Sequence, residues 1–240
     1  MKFTVVANYN EMSALAAGKI LSMLKEKPNL TLGLATGSTP IGLYNVLAEA
    51  YAGGEADFSA AHSFNLDEYY PIKKDNDQSY DYFMRKHLFD RINLPKEHRH
   101  IPNGEAADPV AETAAYEKML GEHDYTDVQI LGIGQNGHIG FNEPDTFMYA
   151  DTHMTGLTES TIRANARFFA SEADVPTHAL TMGIGSILKS KKILLLACGK
   201  EKHAAIEALK DGKVTPDVPA TFLKLHPDVE VICDKAAFGE

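Results

Sequence analysis

Three short segments of the sequence gather side chains suited to moving protons or holding an anion. Asp67 stands beside Glu68 at the end of the apolar run Ser63 to Asp67, and a carboxylate at the carboxyl end of a strand is placed to act as a general base. Asn136, His138 and Glu143 fall on one glycine-rich stretch. There Glu143 can fold back to orient the imidazole, and a histidine so held shuttles a proton near neutral pH. Thr36, Gly37, Ser38 and Thr39 lie between an apolar run and a helical pattern that opens at Pro40. Gly37 allows a tight turn, the hydroxyls donate, and the amides at a helix start favour a negative charge. This segment lacks the Gly-Lys-Ser/Thr ending of a nucleotide-binding loop, which points to a monophosphate. Each group also has a plain structural reading: Asp67 and the Ser/Thr pair as helix caps, His138 as a hydrogen-bonded buried ring.

A phosphate dianion needs fixed cations nearby. Arg163 and Arg167 are spaced i, i+4 on a predicted helix and so share a face, and Lys202 falls in the first turn of a helix just past a strand. A cation there opposes the helix dipole, which suggests placement for a ligand, although a solvated surface charge is the commoner fate of such residues. Gly132 to Gly137 matches G-x-G-x-x-G, but it runs into His138 and, soon after, Pro144 instead of opening an apolar-periodic helix, so a dinucleotide fingerprint is rejected. Its glycines read as room for a substrate. One histidine and one glutamate are too few for a zinc site, and no serine or cysteine sits in a nucleophile-elbow context. No metal is expected.

Elements able to position these groups follow from hydropathy periods. Predicted strands cover Phe3 to Ala7, Leu30 to Ala35, Ser63 to Asp67, Val128 to Ile133, His178 to Met182, Ile193 to Ala197 and Val229 to Cys233. Predicted helices run from about Asn10 to Lys25, from Pro40, and over Gln78 to Phe89, Pro109 to Gly121, Ser160 to Phe169 and Lys200 to Leu209. This alternation implies an α/β fold: an open, mostly parallel twisted sheet with helices on both faces, Rossmann-like and three-layered. In such sheets ligands bind outside the carboxyl ends of the strands, where the three segments fall. A single catalytic domain over residues 1–240 is expected, because no linker or composition break divides the chain.

Composition bounds the function. The 240 residues carry a formal charge of −10, which argues against a nucleic-acid partner because phosphate-backbone affinity needs a clustered basic face. The apolar run Ile193 to Cys198 is far short of the ~20 residues that span a bilayer, and the amino-terminal residues do not read as a signal peptide. A cytoplasmic protein with buried thiols at Cys198 and Cys233 is the expectation.

At these residues the chain resembles the glucosamine-6-phosphate deaminase family. The likeness is carried by Thr36-Gly37-Ser38-Thr39-Pro40, Asn65-Leu66-Asp67-Glu68-Tyr69, Gly132 to Pro144, Ala164 to Phe169 and Ala220 to His226, and it extends from the first strand to the last. The resemblance implies conversion of glucosamine 6-phosphate and water to fructose 6-phosphate and ammonia, without a cofactor. It implies that His138, oriented by Glu143 and Asn136, assists ring opening. Asp67 moves the proton from C2 to C1, and Thr36 to Thr39, Arg167 and Lys202 hold the phosphate. The sister 6-phosphogluconolactonases share the first loop but follow the histidine with a different run, so Phe141-Asn142-Glu143-Pro144 favours the deaminase. A non-catalytic sugar-phosphate sensor is the other alternative, and no helix-turn-helix or basic face accompanies it here. Two departures from the larger allosteric members stand out. Asn136 replaces an aspartate, and Thr152-His153-Met154-Thr155 replaces basic residues. Hyperbolic kinetics without activation by N-acetylglucosamine 6-phosphate are therefore expected. Oligomeric state is left open, as is whether Asp145 to Gly156 closes over the substrate.

Overall fold

Alternation along the strands decides which side of the sheet each residue buries. In Ile193–Ala197, Leu194 and Leu196 join one apolar core while Ile193, Leu195 and Ala197 join another, as the two-residue period of a strand requires. The computed structural model describes residues 1–157, Ile162 and residues 175–240. Among these, β1 (Lys2–Val6), β2 (Thr31–Leu34), β3 (His62–Asn65), β5 (Arg99–His100), β6 (Val128–Gly132), β9 (Ile193–Ala197) and β10 (Val229–Asp234) form one sheet. Its order is β1-β10-β9-β6-β2-β3-β5, and every pairing is parallel.

Helices cover both faces. The helices α1 (Tyr9–Glu26), α2 (Ile41–Ala52) and α3 (Tyr80–His87) close the core that contains Leu32, Leu34, Val128, Leu194 and Leu196. On α1 an apolar stripe buries Met12, Ala16, Ile20 and Leu24, and Asn8 caps its first turn by accepting from the Glu11 amide at 3.0 Å. The opposite core, around Leu131, Leu195 and Val231, is closed by α4 (Pro109–Glu122), α5 (Ile184–Leu188), α6 (His203–Lys210) and α7 (Lys235–Phe238). The predicted three-layer α/β architecture is therefore observed.

A second, antiparallel sheet was not anticipated. Its strands β4 (Asp67–Tyr70), β8 (His178–Thr181) and β7 (His153–Gly156) are ordered β4-β8-β7. The apolar run through Asp67 looked like one strand, but the parallel strand stops at Asn65. The Leu66 amide bonds to Leu34 and its carbonyl receives Met182, after which Asp67 opens a strand of the other sheet. The segment His178–Thr181, expected in the parallel sheet, belongs here as well. The short strands β5 and β7 were missed, one because it is only two residues long and the other because it is mostly polar. No helix among the described residues is long and apolar enough to cross a membrane. The helix expected over Ser160 to Phe169 lies outside the described residues.

From β2 the chain steps outward to β3 and β5, and from β6 it steps the other way to β9 and β10. The strand order therefore reverses between β2 and β6, which pair through only Leu32 with Val128 and Gly33 with Gln129. A ligand crevice forms at the carboxyl ends of strands on either side of such a reversal. The segments at Thr36 and His138 leave the sheet from those two strand ends.

Candidate active site

The β2–α2 connection turns at Gly37, whose φ of +86° is left-handed. A Cβ there would touch nothing within 4 Å, so backbone conformation, not space, calls for glycine. Tyr9 fixes the turn. Its hydroxyl donates to the Ser38 carbonyl at 3.0 Å and accepts from the Gly42 amide at 2.7 Å. The Ile41 amide turns back to the Ser38 carbonyl at 3.4 Å. The first amides of α2 are thus partly occupied, contrary to the expectation of free helix-start donors. The amides of Gly37, Ser38 and Thr39 have no intramolecular partner among the described residues. Consecutive unpaired N–H groups in a turn of this kind form an anion-binding concavity. The Thr36 side chain is hydrogen-bonded to the Tyr80 hydroxyl, which also meets Tyr69, so its hydroxyl braces the loop.

The adjacent carboxylates Asp67 and Glu68 have opposite surroundings. Glu68 accepts the backbone amides of Tyr69, Tyr80 and Asp81 at 2.8–2.9 Å, which anchors the start of α3. Asp67, only 6% exposed, has no hydrogen-bond partner among the described residues. Burial, reinforced by the neighbouring Glu68 charge, pushes its carboxyl up to about 8. Burial also raises Glu68, to about 7, against the opposing pull of its three amide donors. A buried carboxylate with no structural bond and a pKa near neutrality has the properties of a proton-transfer group.

His138 is held on one ring nitrogen. Its Nδ1 lies 2.8 Å from Asn136 Oδ1 and 3.3 Å from Glu143 Oε1, and Asn136 Nδ2 donates to Glu143 Oε2 at 2.7 Å. These three side chains close a ring of contacts in which Nδ1–H is the donor, so Nε2 carries the lone pair. The expected trio therefore comes together. Gly134 has a use that the sequence did not reveal: a Cβ there would collide with the His138 imidazole. The space attributed to substrate is in part space for this ring. Gly137, at φ +82°, packs on Val218, and no helix follows, in keeping with the rejection of a dinucleotide site.

The same loop touches Asp67. A Cβ on Gly140 would lie 2.9 Å from Thr181 Oγ1 and 3.5 Å from Asp67 Oδ2. Thr181 accepts the Phe141 amide at 3.1 Å, and Asn142 Nδ2 donates to the Ile139 and Met182 carbonyls at 2.9 Å. The antiparallel sheet thus brings the histidine loop and the buried carboxylate together. Tyr9, Tyr80 and Thr181 were missed because their contribution is positional and no motif marks it.

Lys202 ends a 3-10 turn, Lys200–Lys202, that leads into α6. Burial lowers its ammonium, against the opposing Glu201 charge, and among the described residues it has no ion pair. A partly buried cation without a carboxylate in an acidic protein is a group held for an anion. It follows β9, two strands from β2 and at the same sheet edge, ~10 Å away at ~4.8 Å per strand. Arg163 and Arg167 lie outside the described residues. Residues 149–156 are pinned, with Thr152 bonded through its amide and hydroxyl to Glu117, and Ile184 and Ser186 bonded to the Tyr149 and Ala150 carbonyls.

Residues 6–232 match the family described as Glucosamine-6-phosphate isomerases/6-phosphogluconolactonase. The chain is 54% identical over 237 residues to a glucosamine-6-phosphate deaminase of Thermoanaerobacter pseudethanolicus, covering 99% of this chain and 94% of that protein. A glucosamine-6-phosphate deaminase of Clostridioides difficile is also 54% identical, with 99% and 95% covered. Among solved structures, a monomeric glucosamine-6-phosphate deaminase superposes with a TM-score of 0.96 at 44% identity, covering 100% of this chain and 99% of that one. A 6-phosphogluconolactonase from Trypanosoma cruzi superposes at 0.80 with 21% identity, covering 100% and 96%, a likeness of fold alone.

Proposed function

Because the chain belongs to the glucosamine-6-phosphate isomerase/6-phosphogluconolactonase family, we infer from its site that it converts glucosamine 6-phosphate and water to fructose 6-phosphate and ammonia. The observation that carries the reading is the pairing of a buried, unbonded Asp67 with a His138 held on one nitrogen by Asn136 and Glu143. Isomerisation coupled to deamination needs these two groups, one acting at carbon and one at oxygen.

In this reading the phosphate sits against the amides of Gly37, Ser38 and Thr39, with Thr39 and Ser38 hydroxyls, Lys202 and Arg167 contributing and Thr36 bracing the turn. His138 Nε2 takes the proton of the anomeric hydroxyl as the ring oxygen leaves and returns a proton to that oxygen, which opens the pyranose. Asp67, ionised, then removes the C2 proton while the substrate ammonium passes a proton to the C1 oxygen, which generates a neutral enolamine. The same carboxyl delivers the proton to C1, leaving an imine at C2. Water adds to that imine, and collapse of the adduct expels ammonia and leaves the ketone. The substrate ammonium beside Asp67 favours the ionised base, so binding itself readies the carboxylate. Asn136 and Glu143 hold the imidazole and offset its charge when it is protonated.

Residues 1–240 act as one catalytic domain in this account, since both apolar cores share a single sheet. The partner is a small phosphosugar. The free thiols Cys198 and Cys233 fit a cytoplasmic setting. The test is ammonia release from glucosamine 6-phosphate by wild type and Asp67→Asn. Loss of turnover with retained sugar-phosphate binding supports the assignment, and equal turnover overturns it.

A further inference from the structure

At the opposite edge of the parallel sheet lies a second constellation, which the proposed reaction does not use. His62 opens β3, His100 closes β5, and His123 caps the carboxyl end of α4. One ligand nitrogen from each of the three lies within 4.8 Å of the others. A fourth ring, His98, stacks on His62 at 3.9 Å and is fixed by Nδ1 against the Ala61 carbonyl at 2.9 Å. Phe64 stacks on His100 at 4.4 Å and meets His123 edge-on at 5.1 Å.

From these observations we propose that His62, His100 and His123 form a mononuclear zinc site that staples the edge strand β5 and the end of α4 to β3. The first argument is hydrogen bonding. A structural histidine is held by partners, yet none of these three rings makes a hydrogen bond among the described residues. His62 Nδ1 and His100 Nε2 are sealed from solvent without a partner, although buried polar atoms in native proteins are nearly always satisfied. A metal ion supplies the missing partner. The second argument is donor chemistry. Three imidazoles with no oxygen donor among them exclude calcium and magnesium and suit a borderline divalent ion.

The third argument is reach. Zinc–nitrogen bonds of about 2.0–2.1 Å set tetrahedral ligand atoms about 3.3 Å apart, so closure asks for side-chain rotations of an ångström or so. All three residues are partly exposed, which gives the ion a path, and a water completes four-coordination. His62 opens β3 at its amino end, whereas Asp67 lies beyond the carboxyl end of that strand, at most ~16 Å away at ~3.3 Å per residue. The ion would therefore be structural and independent of the proton transfers.

The experiment uses the full chain after chelator treatment, with zinc in equilibrium dialysis and cobalt(II) as a spectroscopic stand-in. The expected result is one zinc per chain, with a tetrahedral cobalt spectrum lacking thiolate bands. Binding weakens at least tenfold in His62→Asn and in His123→Asn and is unchanged in Cys198→Ser. The melting temperature rises with zinc in wild type and does not rise in His123→Asn, which keeps its deaminase activity and so its fold. The proposal is overturned by substoichiometric zinc in wild type, by cobalt that stays octahedral, or by a full equivalent retained in both histidine variants. If a variant does not fold, the wild-type stoichiometry and cobalt spectrum decide alone.

Discussion

Replacing Asp67 with asparagine should stabilise the protein at alkaline pH while stopping the reaction. The carboxyl is raised from 3.8 to about 8, so between those values the native state holds a proton that the unfolded chain has released. Stability therefore falls as pH rises through this window, and the loss is complete above the folded-state value. Each pH unit across it corresponds to about 1.4 kcal/mol. From pH 5 to pH 8 this sets a ceiling of about 4 kcal/mol, and relaxation of the site toward the crevice reduces it to roughly 2 kcal/mol. Asparagine has the same shape and does not titrate. The advantage of Asp67→Asn over wild type should therefore grow with pH, to roughly 4–8 °C in melting temperature at about 2–4 °C per kcal/mol for a chain of this size. Calorimetric melts of both proteins from pH 5 to pH 9, alongside ammonia-release rates, make the test. A melting-temperature gap that does not change across that range would refute the argument that burial sets the state of this carboxyl.

Other predictions concern the neighbouring groups. Glu68→Gln should destabilise the protein, because two backbone amides at the start of α3 and the Tyr69 amide in β4 lose a carboxylate acceptor; melts should show a loss of about 1–3 kcal/mol. Gly134→Ala should lower kcat at least tenfold by displacing the His138 ring, with a smaller change in KM, in steady-state kinetics. Lys202→Met should raise KM and weaken inhibition by inorganic phosphate, with kcat less affected. Rates against substrate concentration should be hyperbolic and unaltered by N-acetylglucosamine 6-phosphate.

The layers of the fold were legible because period-2 and period-3.6 patterns survive in elements buried on one or both sides, as in Ile193–Ala197 and Tyr9–Glu26. The second sheet was not, because Asp67–Tyr70 continues an apolar run without a turn signal and His153–Gly156 is mostly polar. Site residues were legible by type: Asp67 and His138 read as acid–base groups, and Asn136 and Glu143 as partners of the imidazole, from their neighbours in the chain. The contacts among Asn136, His138 and Glu143 were legible too, because the three lie on one short stretch of chain; what else the site groups touch was not. Whether Gly134 faces substrate or His138, and whether Thr36 meets phosphate or Tyr80, depends on loop geometry that no local pattern encodes. The histidines at 62, 100 and 123 are far apart in sequence and meet only because β3 pairs with β5 and α4 ends beside them. A search for closely spaced ligands passes over such a set.

The central claim is that Asp67 carries a proton between adjacent carbons on one face of an opened amino sugar. Nuclear magnetic resonance of the products formed from glucosamine 6-phosphate in deuterium oxide tests it most directly. The wild type should release ammonia and fructose 6-phosphate in equal amounts, with any deuterium at C1 in one stereochemical position only, and Asp67→Asn should form neither product while still binding the sugar phosphate. Deuterium in both C1 positions, or undiminished turnover by the variant, would contradict the account.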